Sequence, residues 1–288
     1  MQNGPSPKFE SKLIAFVDLL GFKELVATAE GGEGVDLQHV LALLDEFRAS
    51  RDQEELATHG PDVCPGSARV AADVGFRATQ ISDSLLLSTE VSPAGVATLL
   101  ARAWRVTVRF LLKGILCRGY ITRGLIFHDG QRFVGSGYQR AYSQEREVVF
   151  RRGPAEKAGT PFVEIDPVVV EYVKTSGGQC VEGLFNHCVA TDGQYFALFP
   201  FRALEQSFVI GGPYAKYVNY ERIREGNVGL RDDIAAIKDR IRAAVDPKNA
   251  NAVRKVEHYV AALEQQLRGC DSVDDVLDSL GVPPSHDK

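Results

Sequence analysis

The 288 residues carry 33 Lys and Arg against 38 Asp and Glu, a net charge of -5, with 44% hydrophobic and 25% charged residues. A chain of this length and balance is globular and buries a substantial core, as one large domain or two modest ones. The negative balance argues against a general nucleic-acid binder, which needs a basic footprint, and leaves open a local basic pocket for a small phosphate ligand. No apolar run approaches bilayer length, and residues 1–10 lack the apolar segment of a signal peptide. A short flexible tail over residues 1–9 and a cytoplasmic protein, without membrane or nucleic-acid partners, are therefore expected.

In chain order, residues 12–18 (KLIAFVD) are an apolar run ending in an acid, a buried strand. Leu19-Leu20-Gly21-Phe22 turns the chain into a helix over about 22–29. Gly31, Gly32 and Gly34 break it, and 35–57 reads as a second helix from Val40, Leu43, Leu44 and Phe47. Residues 58–67, with two prolines, form a loop. Strand-like segments at 69–80 and 84–89 meet at Ser82-Asp83 as a hairpin with an acid near its tip. A helix over 93–113, a strand over 117–127 ending at the turn His128-Asp129-Gly130, a short strand over 131–134 and a helix over 138–147 follow. Beyond them the pattern predicts a strand near 161–165, a helix near 167–175, strand material from 187 to 200, and helix from about 213 onward. Ile234, Ile237 and Ile241 share one face, as do Val253, Val256, Val260, Leu263 and Leu267, and Asp246-Pro247 separates the two helices as a hairpin. The order is that of an α+β protein, with helices laid on a mainly antiparallel sheet.

The cysteines, Cys64, Cys117, Cys180, Cys188 and Cys270, are odd in number, scattered and without a CxxC pair, so reduced thiols are expected. Cys180, His187 and Cys188 have no second ligand pair at a matching spacing. They read as small residues near a strand rather than a zinc corner. His128 reads as a solvated turn residue, and Trp104 as core rather than a nucleobase platform. Arg146, Arg151 and Arg152 read as a surface charge run.

Two acids carry the chemistry. Asp18 ends an apolar strand, where a carboxylate is costly unless its charge is compensated, and Asp83 is similarly placed at a hairpin tip. Each alone would be an ordinary cap or turn residue. On neighbouring strands both would emerge at one end and share divalent cations, with hard oxygen ligands suited to Mg²⁺ or Mn²⁺. The helix start after Gly21 offers backbone N–H groups for phosphate, although the GxxxxGK[ST] spacing of a P-loop is absent.

Phe16-Val17-Asp18-Leu19-Leu20-Gly21-Phe22 resembles the first metal motif of the class III nucleotidyl cyclases, and Ile81-Ser82-Asp83 their second, in which Gly usually stands at the place of Ser82. Arg118-Gly119-Tyr120-Ile121-Thr122-Arg123-Gly124 and Gly135-Ser136-Gly137-Tyr138-Gln139-Arg140-Ala141-Tyr142-Ser143-Gln144-Glu145 are similar to the family's later strand pair and transition-state helix. The likeness runs in consistent order over roughly residues 10–200. It implies a cyclase catalytic domain over 10–210 and a helical C-terminal extension over 211–288. It also implies two Mn²⁺ or Mg²⁺ ions held by Asp18, Leu19 and Asp83, with triphosphate contacts from Leu20, Gly21 and Phe22.

The departures fall in the base-reading half. Thr79 stands where purine cyclases have a Lys, and Arg132 falls near their base-reading Asp. Gln139 aligns with the transition-state Asn and Ser143 with the usual Arg, a charge that Arg140 would supply from a shifted position. This combination is most like the pyrimidine cyclases of bacterial Pycsar anti-phage systems. It implies conversion of UTP, or CTP, to a 3′,5′-cyclic monophosphate and pyrophosphate, a messenger for a separate effector protein. The family further implies a homodimer with composite sites. Arg77 is a candidate contact for the base carbonyls or a solvated strand-end residue. A purine cyclase with an unorthodox pocket, and a catalytically inactive nucleotide-binding or assembly module, are the competing readings.

Overall fold

The computed structural model describes residues 6–32, 34–154, 156–205 and 218–283. The chain divides into two compact units, Met1–Phe110 with Ile115–Pro200, and Leu111–Gly114 with Phe201–Lys288. The boundary expected at 210/211 lies outside the described residues.

In the first unit, strand β1 (Glu10–Leu19) leads into helices α1 (Phe22–Gly31), α2 (Leu37–Leu44) and α3 (Ala49–His59). Hairpin strands β2 (Arg77–Ile81) and β3 (Ser84–Glu90), helix α4 (Pro93–Leu112) and strand β4 (Cys117–His128) follow. After β5 (Phe133–Val134) and α5 (Ser136–Glu145) come β6 (Val163–Ile165), α6 (Pro167–Tyr172), α7 (Gly178–Cys188), β7 (Val189–Thr191) and β8 (Phe196–Leu198). The strands form one sheet in the order β2-β3-β1-β4-β6-β8-β7, with β5 added to β4. Pairing is antiparallel except between β4 and β6. A parallel neighbour requires a crossover, and α5 lies within it. The architecture is α+β, a mixed sheet flanked by helices.

Alternation along β1 divides the two faces. Leu13, Ala15, Val17 and Leu19 enter the main core with Leu99, Leu100, Ala103, Val106 and Phe110 of α4 and with residues of α2, α3, α6 and α7. Ile14 and Phe16 point the other way and pack with Leu86, Ile126 and Ala141. Each fully buried Leu, Ile or Phe stabilises the fold by about 1.5–3 kcal/mol. Asp18 continues the Ile14–Phe16 series, so its side chain is on the face that carries α5. Gly124 and Gly137 let α5 approach the sheet: a Cβ on Gly124 would lie 2.6 Å from Gly137 Cα.

Several sequence expectations are corrected. The segment 69–76 is a turn region, because the Glu90 carboxylate accepts the N–H groups of Val70 and Ala71 that a strand ladder would have used. The helix expected over 35–57 breaks after a short 3₁₀ turn at Arg48, whose φ is +54°. Within the expected strand material from 187, residues 187–188 end helix α7, which buries Val181, Phe185 and Cys188 at helical spacing. His128 belongs to β4 and is buried. Cys64 and Cys180 form a disulfide across 116 residues, whereas Cys117, Cys188 and Cys270 are buried thiols.

In the second unit, α8 (Tyr220–Ala243) and α9 (Ala250–Ser279) form a hairpin around Asp246-Pro247, each N-capped by an Asn side chain. Ile234, Ile237, Ile241, Val256, Tyr259, Val260 and Leu263 are buried. Asn227 donates to the Cys270 carbonyl and Asp274, and Arg231 pairs with Asp271 and Asp274. These contacts link α8 to α9 by specific polar pairs in addition to the apolar packing. No helix among the described residues is long and apolar enough to cross a membrane.

Candidate active site

β1 and β3 are direct neighbours, and the ladder runs to the pair Asp18–Ser84, one residue past Asp83. The two acids therefore lie side by side at one end of the sheet. The Leu19 N–H donates to the Asp83 carbonyl at 3.2 Å, and the Ser84 hydroxyl donates to Asp18 Oδ1 at 2.6 Å. Ser82 makes the turn at φ +53°, a left-handed conformation that glycine adopts without penalty. Burial, and then the nearby carboxylates Glu145 and Asp83, push the Asp18 carboxyl up to about 6, against the opposing Ser84 hydrogen bond and Arg118 charge. Its negative charge is thus under-compensated by the protein itself.

The chain leaves β1 through Leu20, whose N–H donates to the Leu116 carbonyl at 2.9 Å, and enters α1 at Gly21. Gly21 has φ +84° with open space around a would-be Cβ, so the backbone conformation requires glycine there. No side chain caps this helix start, which leaves the N–H groups of its first turn facing outward. Glu24 in that turn works against an anion. The Leu19 side chain is buried in the core, so only its backbone carbonyl could meet a cation.

Arg118 is the cross-strand partner of Asp18 on β4, and its Nε donates to Glu145 Oε1 on α5. Gln139, Arg140 and Ser143 are exposed on the same helix. Arg140 pairs with Asp166 at 2.7 Å, and Asp166 also accepts from Thr122 Oγ1 and the Val168 N–H. Burial beside Asp166 and Glu164 pushes the neighbouring Tyr120 phenol up to about 12. Arg140 is therefore fixed over β4 and β6, and the Ser143 hydroxyl donates to the Arg140 carbonyl.

Thr79 and the turn carrying Arg132 come together. Thr79 Oγ1 donates to the Gly130 carbonyl at 2.9 Å and lies 2.9 Å from His128 Nε2. With its single proton spent on Gly130, the hydroxyl accepts from Nε2–H, and His128 Nδ1 accepts from Ser88 at 2.8 Å. Burial, reinforced by Lys12 and Arg77, lowers the His128 pKa to about 4, so the imidazole is neutral. Arg132 is exposed and paired with Asp129. A cleft of about 640 Å³ opens beside Thr79, lined also by Gln80, Gly130, Arg48, Ser50 and Arg51. Arg77 is not at the end of the sheet that carries Asp18 and Asp83. It lies four residues up β2 from Ile81, roughly 13 Å along the strand, and pairs with Asp73 at 2.9 Å.

The donor set at Asp18 and Asp83 suits a hard divalent cation bound through one or two carboxylates, with water and phosphate oxygens completing the shell. Among the described residues no larger cluster of His, Cys, Asp and Glu is gathered as a metal-holding group. Two residues beside the site, Arg118 and Glu145, stand within the motif blocks but receive no role from motif reading. The signal for Glu145 was present: Gly137, Ala141 and Glu145 recur at a spacing of four and are all buried. No family model matches the chain, and no curated protein sequence matches it.

Proposed function

We propose that the chain is a nucleotidyl cyclase that converts UTP or CTP to the 3′,5′-cyclic monophosphate and pyrophosphate, with UTP favoured, as a messenger in defence against phage. The observation that carries this reading is the side-by-side placement of Asp18 and Asp83, next to a glycine-capped, uncapped-side-chain helix start. Two Mn²⁺ or Mg²⁺ ions at these carboxylates would lower the pKa of the ribose 3′-hydroxyl and stabilise charge on the departing pyrophosphate. Asp18, Asp83 and the Leu19 carbonyl are the groups that would hold them. The first-turn N–H groups of α1, from Gly21 and Phe22 onward, orient triphosphate oxygens, so the protein contributes positioning more than proton transfer. Neutral His128, with both nitrogens already engaged, is not a general base.

In the composite site that the resemblance implies, the cleft beside Thr79, lined by Asp45 and Glu46 as well as by cationic side chains, would read the base of a nucleotide whose metals the partner holds. Its polar lining of Thr79, Gln80, Arg48 and Arg51 replaces the Lys and Asp that purine cyclases use. Arg77 and Arg132 are paired within the chain with Asp73 and Asp129, and reading a base would require each to leave its partner. The homodimer with composite sites, in which Gln139 and Arg140 serve the partner's metal end, comes from the family resemblance. Both residues are exposed on α5, and Arg140 would have to leave Asp166 to serve there. The product would act on a separate effector.

The test is incubation of purified protein with Mn²⁺ and each of the four nucleoside triphosphates, with products identified by mass spectrometry. A cyclic pyrimidine monophosphate and pyrophosphate are expected, with Asp18→Ala and Asp83→Ala both silent. Turnover of ATP or GTP alone would overturn the base assignment. Activity in Asp83→Ala would overturn the metal site, and no turnover of any triphosphate would favour a non-catalytic nucleotide-binding module.

A further inference from the structure

We propose that Glu145 is a positioning residue that holds the Arg118 guanidinium off Asp18, keeping that carboxylate available to a divalent cation; the inference rests on the metal reading above. Asp18 and Arg118 are directly opposed on β1 and β4. Opposed residues have Cβ atoms about 4.5–5.5 Å apart, well within reach of a guanidinium. An arginine so placed would ordinarily close a two-pronged ion pair on the aspartate, occupying the oxygens that a cation needs. Among the described residues no such pair forms. Asp18 instead takes the Ser84 hydroxyl, and Arg118 turns to Glu145.

The environment of Glu145 explains the preference. Glu145 is 3% exposed, and a buried carboxylate without a cationic partner is strongly destabilising. Arg118 is its close partner, and Arg146 Nε stands farther off at 3.9 Å on the solvent side. The far edge of the Arg118 guanidinium faces Gly159, where an added Cβ would lie 3.0 Å from Nη1. The guanidinium is thus held between α5 and this loop. It remains near enough to temper the Asp18 charge without capping it.

The pair could instead only strap α5 to β4, and a double-mutant cycle separates the two roles. Glu145→Gln keeps the volume and removes the charge that attracts Arg118. In a crystal structure of this variant the guanidinium is expected on the Asp18 carboxylate. In a Mn²⁺ titration of the full chain followed by electron paramagnetic resonance, affinity should fall about tenfold. The double variant R118Q/E145Q has no guanidinium to compete, and should recover to within about threefold of the parent affinity. An unmoved guanidinium with parental affinity in E145Q, or a double variant as weak as E145Q, would overturn the proposal. If E145Q does not fold, the folded double variant still decides, since binding much weaker than the parent's contradicts the competition. A guanidinium that moves onto Asp18 while the parent binds Mn²⁺ no better than Asp18→Asn would sink the metal reading and leave the ion-pair relay standing.

Discussion

Asp18 and His128 are two partly or fully buried titratable groups whose linkage to stability runs in opposite directions. The folded state holds the Asp18 proton more tightly than the unfolded chain, whose aspartates titrate near 3.8. Its contribution to stability is therefore present at low pH and is lost as pH rises from there through about 6. At pH 7.5 without divalent cations, Asp18→Asn should be more stable than the parent by about 1 kcal/mol, discounted for partial exposure, a shift of a few degrees in a thermal melt. The same variant should lose any Mn²⁺-dependent rise in melting temperature. A melt that falls on Asp18→Asn would mean the carboxylate is already compensated within the protein.

His128 has the reverse sign. Its folded pKa of about 4 lies below the ordinary 6.5, so stability is full above 6.5 and is lost as pH falls through about 4. The whole effect is of order 3 kcal/mol. His128→Gln should flatten the stability profile between pH 6.5 and 4, measured by urea unfolding at several pH values. Because the Asp18 slope partly cancels the His128 slope in that window, the comparison belongs between single variants and parent. Motif reading placed His128 in a solvated turn because His-Asp-Gly is turn chemistry. The sequence carries no mark of Ser88 and Thr79, from two other strands, meeting its two nitrogens.

Among the elements, the connection between β1 and α1 was largely legible. An apolar run, an acid, then glycine before a helical pattern states strand, site and turn within a few residues, all of it local. Gly21→Ala keeps the space but not the conformation, and should cost about 1–2 kcal/mol, read by denaturant unfolding. Since the same turn sets the angle of the α1 N–H groups, the triphosphate binding proposed for this chain should weaken in that variant beyond any loss of fold. The strand expected over 69–80 and the helix α7 show where local reading gives out. Residues 69–76 have strand-like composition, but the Glu90 carboxylate from the next hairpin arm captures the N–H groups of Val70 and Ala71, and those of Val74, Gly75 and Phe76 close local turns. Val181, Phe185 and Cys188 have helical spacing, yet the apolar residues that follow at 196–199 read equally well as a continuous strand region.

At the scale of the molecule, the Cys64–Cys180 disulfide ties the connection before β2 to the start of α7. Both cysteines are exposed, so the bond is open to a reductant. Closing a loop of 116 residues stabilises by at most about 4–5 kcal/mol through the entropy of the unfolded chain. Melting with and without dithiothreitol should show a clear downward shift on reduction, matched by C64S/C180S without reductant. Equal melting temperatures would mean that the bond contributes little. Odd number and scattered spacing made reduced thiols the reasonable expectation, since cysteine pairing depends on approach in space and not on sequence interval.

What the sequence determined by itself was the local part: the apolar alternation of β1, the acids at its end and at the hairpin tip, the glycine before α1, the paired C-terminal helices and the α+β order. These depend on residues within a turn or two of one another, where periodicity and backbone preference are decisive. Only the tertiary structure decided which groups share a charge environment. Asp18 beside Asp83 follows from β1 pairing with β3; Arg118 beside Asp18 follows from β1 pairing with β4; and Glu145 reaches Arg118 because two glycines let α5 lie close on the sheet. Coulombic and hydrogen-bond partners are set by distance in space, and distance across a sheet is not encoded in any local pattern.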